Sequence, residues 1–295
     1  MAANPTEPDH LAWHAYPYVW LQYLLPHHGL SALAHWLTRV RWAPCKDGLI
    51  GVFRHFFPVN LAEAEQPDPR AYGSFNEFFT RALRADARPL APAGALLSPV
   101  DGAVSQFGTI QDGRLIQAKG HDYRLIDLVG GDRATADLFQ GGEFITLYLS
   151  PRDYHRIHMP LAGRLTGTRH LPGRLFSVNT TTSRLVPRLF ARNERLVCRF
   201  DGDSGPLGLV LVGAIFVASI ETTWAGVWTP RRCRTAPEQV PDSLQLERGA
   251  EMGRFNMGST VILLLPPGRV AWDARLQPGC PVRMGESLGE LQPPS

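Results

Sequence analysis

From Leu96 onward the chain breaks into short apolar runs set apart by Gly, Pro and Asp: Gly102 to Phe107, Arg114 to Ala118, Phe144 to Leu149, Arg195 to Phe200, Leu207 to Ile220 and Thr260 to Leu265. Runs of this length, bounded by turn-forming residues, are strand signals. Gly213 interrupts the run Leu207 to Ile220, which is therefore two strands or one strand with a bulge. The apolar run Val261-Ile262-Leu263-Leu264-Leu265 has the composition of a buried core strand. Many short strands of this kind predict an antiparallel sandwich or a barrel-like core, with a strand order that periodicity does not reveal.

The first part of the chain differs. From His10 to Lys46 there is no acidic residue, and Trp13, Trp20, Trp36 and Trp42 supply four of the seven tryptophans. Pro17 and Pro26 are expected to divide this opening into short helical pieces. Leu30, Leu33, Ala34, Leu37 and Arg41 fall at helical spacing, which predicts an amphipathic helix from Leu30 to Arg41. A second helix, Leu49 to Phe57, presents Ile50, Phe53 and Phe57 on one side and stops at Pro58. Ser74 and Glu77 have the spacing of a capping box for a helix from Phe75 to Leu83, and Arg81 to Pro92 forms a connector. The fold class is α+β: a helical region and connector over residues 1–92, amphipathic and suited to a lipid surface, on a β-rich core over residues 93–295.

With 295 residues, 44% hydrophobic and 19% charged, the chain can bury a substantial core. A formal charge of +3 without a Lys/Arg-rich run gives no argument for nucleic acid. Cys45, Cys198, Cys233 and Cys280 are far apart and form no CxxC pair, so neither a zinc site nor a disulfide framework is signalled. The N-terminus lacks the pattern of a secretory signal, and no window holds the ~20 apolar residues that span a bilayer.

Three stretches carry polar residues suited to chemistry. FNMGSTV, residues 255 to 261, places Gly258, Ser259 and Thr260 directly before the apolar run. SPVDGAVSQFG, residues 98 to 108, holds Asp101, and YLSPRDYHRIHMP, residues 148 to 160, holds His155 and His158 in a loop expected between Pro151 and Pro160. A His-x-x-His pair suggests metal, but there is no intervening glutamate and no third ligand nearby, so no metal is expected. An aspartate, an imidazole and a hydroxyl can instead form a nucleophilic relay. Ser259 does not sit in the G-x-S-x-G turn of an ordinary esterase, since Gly258 precedes it and an apolar strand follows.

The motifs SPVDGAVSQFG, QAKGHDY, YLSPRDYHRIHMP, PGRLFSVN, LFARNER, ASIETTWAG and EMGRFNMGSTV occur in this order, and together they resemble the bacterial phosphatidylserine decarboxylase proenzymes over nearly the whole chain. Many members have leucine where Met257 stands, a volume-conserving difference that leaves the Gly258-Ser259 bond intact. The resemblance implies that Ser259 attacks the Gly258 carbonyl, that the ester so formed breaks by elimination and hydrolysis, and that Ser259 becomes a covalent pyruvoyl cofactor. It also implies His158 as the base for cleavage, Asp101 as the carboxylate that orients His158, and His155 as a participant in decarboxylation.

On the same resemblance, the pyruvoyl ketone forms a Schiff base with phosphatidylserine and phosphatidylethanolamine and CO2 leave. The expected partners are phosphatidylserine in an anionic membrane and the two chains of one precursor, β (residues 1–258) and α (residues 259–295), with a homodimer also implied. The expected location is peripheral, on the cytoplasmic face of the cell membrane. Three alternatives stand beside this reading: pyruvoyl chemistry on a soluble amino acid, a non-enzymatic membrane-peripheral scaffold, and a serine hydrolase.

Overall fold

The computed structural model describes residues 15–118, 120–215, 219–228, 243–257 and 260–293. Trp13, Cys233, Gly258 and Ser259 lie outside the described residues. The fold is α+β, with helices first and a β-rich core after them.

An eight-stranded antiparallel sheet organises the core. Its order is Gln245–Leu246, Gly163–Leu171, Arg195–Gly202, Gly205–Val212, Thr260–Leu265, Glu143–Tyr148, Gly102–Thr109 and Pro281–Val282. The two outermost strands do not pair with each other, so the barrel-like alternative is not realised. A four-stranded sheet (Gly226–Trp228, Ile220–Thr222, Glu251–Phe255, Arg156–His158) and a three-stranded one (Ala95–Leu97, Ser287–Leu291, Val270–Trp272) complete the large layers.

The strand Thr260–Leu265 shows why its sequence is uniformly apolar. It is central in the large sheet, with Val261, Leu263 and Leu265 in one core and Ile262 and Leu264 in a second. The first core is shared with the smaller sheets through Leu96, Ile157, Ile220 and Met252, and the second with helical residues such as Leu128, Phe139 and Phe190. A strand covered on both faces has no solvent side for polar residues.

Gly213 marks an end. The segment divides into Gly205–Val212 in the large sheet and Ile220–Thr222 in the four-stranded one, and the Gly213 N–H turns away to the Glu194 carbonyl at 2.8 Å. The expected strands Arg114–Ala118 and Thr260–Leu265 form with those bounds, and the others differ by a few residues at their ends.

The helices depart further from expectation. Pro17 lies in the first turn of the helix Ala15–Leu24, where a missing N–H leaves no intrahelical bond unmade. The next helix is His27–Leu37, ending before Arg41 because the Thr38 carbonyl accepts from the Asn76 N–H at 2.8 Å. The third is Ala43–Phe56, with Pro44 in its first turn. The fourth is only Phe75–Phe79: the Ser74 hydroxyl accepts from the Glu77 N–H at 3.2 Å, while the Glu77 carboxylate returns to the Gly73 N–H at 2.9 Å, one residue before a regular capping box. No helix among the described residues is long and apolar enough to cross a membrane.

Candidate active site

His155 and His158 flank and end a strand, not a loop as their prolines suggested. Arg156–His158 pairs antiparallel with Glu251–Phe255, opposing Glu251 to His158 and Arg254 to Arg156. The Phe255 N–H donates to the His155 carbonyl at 3.0 Å, and the His158 N–H donates to the Pro99 carbonyl at 2.8 Å. These bonds join three of the sequence motifs: both histidines sit beside the chain that enters FNMGSTV, and His158 sits beside SPVDG.

The His158 ring has a defined tautomer. Its Nδ1 lies 2.8 Å from the Gly249 carbonyl, which can only accept, so Nδ1 carries the proton. In the neutral ring Nε2 is then an acceptor, and the Tyr154 hydroxyl at 2.9 Å donates to it. Burial lowers the titration of His158, partly opposed by the Gly249 hydrogen bond and by Glu251 and Asp101. The ring is therefore poised as a neutral base.

His155 is fully buried against Phe79, with ring centroids 4.1 Å apart. Its Nδ1–H donates to the Asp153 carbonyl at 2.8 Å. Burial pushes its titration down to about 3, so the ring is neutral over the physiological range. Its Nε2 lone pair is buried and finds no hydrogen-bond partner among the described residues, and the same holds for Oγ1 of Thr260. A buried polar atom left without a partner in a native fold calls for a polar group not yet counted. The two unpartnered atoms belong to the histidine motif and to the residue that opens the central strand.

Asp101 does not contact either histidine. Its Oδ1 accepts from Nε of Arg88 at 3.0 Å and from the Met284 N–H at 2.9 Å, and its Oδ2 accepts from Nη2 of Arg88 at 2.5 Å. The hydrogen bond that orients the His158 ring comes from Gly249, and the Asp101 charge is the smallest of the influences on its titration, after burial, Gly249, Glu251 and Arg156. Asp101, Arg88, Glu63, Arg81, Asp153 and Tyr154 line one cavity of about 600 Å³ that reaches Tyr148. Tyr148 on the cavity wall is the strand neighbour of Thr260.

The chain before the Gly258-Ser259 bond is firmly held. Asn256 is fully buried; its Nδ2 donates to Ser219 Oγ at 2.9 Å and Glu221 Oε2 at 3.2 Å, and its Oδ1 accepts from Asn76 Nδ2 at 3.0 Å. Met257 follows with φ +106°, a conformation that a side-chain-bearing residue adopts only under constraint. On the far side Thr260 is locked between Tyr148 and Val212. Among the described residues no cluster of three or more His, Cys, Asp or Glu has the arrangement of a metal site.

Arg88, Glu63, Tyr154, Gly249 and Asn256 escape a reading of the sequence. Tyr154 and Asn256 stand inside quoted motifs, whereas Arg88 is hidden in an Arg/Ala/Pro-rich connector whose only cue is a charged residue next to Pro89.

A β core that holds a neutral histidine pair against the strand Glu251–Phe255 narrows the class, and comparison with known proteins supplies it. A family model described as phosphatidylserine decarboxylase matches residues 75–290, and one described as PSD matches residues 17–57. The chain is 56% identical over 275 residues to the phosphatidylserine decarboxylase proenzyme of Pseudomonas fluorescens, covering 91% of this chain and 95% of that one. It is 52% identical to the protein of that name from Methylococcus capsulatus, over 92% of this chain and 96% of the other, and 54% identical to that of Bordetella pertussis, over 90% and 92%. The chain is thus an enzyme of the decarboxylase class. It belongs to the phosphatidylserine decarboxylase family.

Proposed function

We propose that this chain cuts itself between Gly258 and Ser259 and then converts phosphatidylserine to phosphatidylethanolamine and CO2 at the lipid surface. The observation that carries the reading is the pairing of the histidine strand Arg156–His158 with Glu251–Phe255, which sets His158 opposite Glu251 and bonds the His155 carbonyl to the Phe255 N–H, three residues before Gly258. His158, oriented by Gly249, takes the proton of the Ser259 hydroxyl as that oxygen attacks the Gly258 carbonyl. Asp101 supports the protonated ring electrostatically. The pyruvoyl group made from Ser259 supplies the carbonyl that engages the substrate amine and accepts the electron pair released with CO2. His155 takes part in the decarboxylation through its free Nε2 lone pair, which can accept a proton and return it to the substrate carbon that loses CO2. The cavity beside Asp101 and Tyr148 receives the headgroup.

The products of cleavage stay together on this reading, because the smaller piece contains the central strand Thr260–Leu265, bonded on both edges to the larger piece. Residues 1–92 act as the lipid-docking region of a peripheral protein on the cytoplasmic face of the membrane, and residues 93–295 as the catalytic core of a homodimer. Of fifteen exposed large hydrophobic residues among the described ones, eleven lie between Tyr16 and Phe57, which supports lipid contact over this stretch.

Intact mass under denaturing conditions tests the first step. Two species meeting at Gly258 and Ser259 are expected, the smaller lighter by one ammonia than a serine-started fragment, and Ser259→Ala should give one uncut, inactive chain. Efficient cleavage of Ser259→Ala would sink the proposal. CO2 release from phosphatidylserine vesicles but not from free serine separates the lipid substrate from a soluble one.

A further inference from the structure

We propose that Arg88, shared between Glu63 and Asp101, is a positioning residue for self-cleavage. The proposal rests on the reading of Asp101 as the carboxylate that supports His158. The Arg88 side chain is 7% exposed and uses most of its donors. Nε and Nη2 fork across the two oxygens of Asp101, Nη2 also meets Oε2 of Glu63 at 2.8 Å, and Nη1 donates to the Ala87 carbonyl at 2.7 Å. With the Met284 N–H as a third donor, the Asp101 carboxylate is fixed in one plane against the cavity wall. Tyr154, which donates to His158, lines the same cavity.

The charge count explains why Glu63 belongs to the group. One guanidinium between two carboxylates leaves a net charge of −1, and Arg81 and Asp153 on the same wall add one charge of each sign, so Arg88 fixes Asp101 without cancelling its field. Burial alone would lower the titration of Arg88, but its bonds to Asp101 and Glu63 raise it, which keeps it charged. Arg283, the other cation near Glu63, is 3.5 Å away and 60% exposed, so solvent screens it. A fold gains little stability from burying such charges, since apolar residues of equal volume commonly serve as well. Their burial on the wall of the reaction cavity points to a role in the chemistry.

The test uses the full chain and follows the half-time of cleavage by intact mass, with unfolding curves recorded in parallel. Arg88→Met leaves Glu63 and Asp101 without their shared cation and is expected to lose stability; where it folds, it should cleave roughly tenfold or more slowly, a fraction of what general-base assistance supplies. Arg88→Lys should fall between, because one ammonium cannot bridge the two carboxylates as a planar fork does. Methylguanidinium added to Arg88→Ala should speed cleavage at a temperature where the variant is already fully folded without it, a response that a purely structural role does not produce. A folded Arg88→Met with the parent rate overturns the proposal, as does slow cleavage of Arg88→Ala that methylguanidinium leaves unchanged. Should Arg88→Met and Arg88→Ala fail to fold, Arg88→Lys decides: the parent rate in that variant overturns the proposal and slower cleavage supports it. Absence of cleavage in the parent itself would instead sink the self-processing reading, so the two failures are distinguishable.

Discussion

The Phe79 ring lies on His155 with centroids 4.1 Å apart and planes inclined at 52°, so a short N-terminal helix forms one wall of the histidine site. Phe79 also touches Phe53 of the helix Ala43–Phe56, at 5.8 Å between centroids. Burial by Phe79 helps make His155 a neutral residue. Phe79→Leu should therefore raise the His155 titration from about 3 toward the ordinary 6.5, read from ring-carbon shifts in an NMR pH series. An unmoved titration would mean that other neighbours set it. Phe79→Ala removes more packing, and a loss of about 3–5 kcal/mol of stability is expected by denaturant unfolding.

Both histidines titrate below their ordinary value in the folded chain, and burial is the leading cause. Below about pH 6.5 the unfolded chain binds protons that the folded chain refuses, so stability must fall as pH drops from 6.5 toward the folded values. The slope is at most about 1.4 kcal/mol per pH unit for each histidine. Urea unfolding of the uncut Ser259→Ala chain at about pH 7.5 and about pH 5.5 measures it, and His155→Gln should flatten the difference. Equal slopes with and without His155 would contradict its burial as a neutral ring.

How much of this was legible in the sequence depends on how local each feature is. The strand Thr260–Leu265 declares itself because both faces are covered and every residue is apolar. The strand Gly163–Leu171 does not, since its glycines, arginines and threonines dilute the alternation although seven-residue pairing with Arg195–Gly202 holds it. The strand Arg156–His158 was hidden by flanking prolines, its partner lying more than ninety residues away, as the Arg156–Glu251 ion pair at 2.8 Å illustrates. The helix Arg133–Phe139 had a cue, Asp132 capping the Thr135 N–H at 3.2 Å, but is too short for periodicity to speak. Asp101, His155 and His158 stood out as residue types in motifs. Their connections did not, because Arg88, Gly249 and Met284 meet them only through the fold.

The two histidines are expected to fail at different steps. His158→Gln removes the base oriented by Gly249 and should leave the chain whole, slowing cleavage by about 10²–10⁴. His155→Gln should cleave and then release CO2 slowly from phosphatidylserine vesicles. Intact mass and CO2 release on the same preparations separate the effects. Normal turnover by His155→Gln, or prompt cleavage by His158→Gln, would reverse the assignments.

Asn256 holds the chain two residues ahead of Gly258 from three directions, through side-chain bonds to Asn76, Ser219 and Glu221. Asn256→Asp keeps the shape but sets a carboxylate where Nδ2 now donates to Glu221 at 3.2 Å. Like charges in a buried site repel, so both stability and the rate of cleavage should fall, stability by roughly 1–3 kcal/mol. Unfolding midpoints and the half-time of cleavage report the two effects, and a variant equal to the parent in both would show that Asn256 does not constrain the site.

Trp20 and Trp36 are 70% and 65% exposed on successive helices whose other sides are tied down, Gln22 accepting from the Ser177 N–H at 2.8 Å and Thr38 accepting from Asn76. An exposed tryptophan on a fixed helix has no folding reason to stay apolar, and the interface of a bilayer is where its ring is stabilised. Trp20→Ser and Trp36→Ser should each weaken sedimentation with phosphatidylserine-containing vesicles roughly tenfold or more, in line with about 1.5–3 kcal/mol for burying a large apolar side chain. Their unfolding midpoints should barely move, because surface substitutions are usually within about 0.5 kcal/mol. If the double variant binds vesicles as the parent does, this face does not enter the membrane. If binding is instead abolished by salt while both tryptophans are present, the contact is carried by charge and the apolar face is incidental.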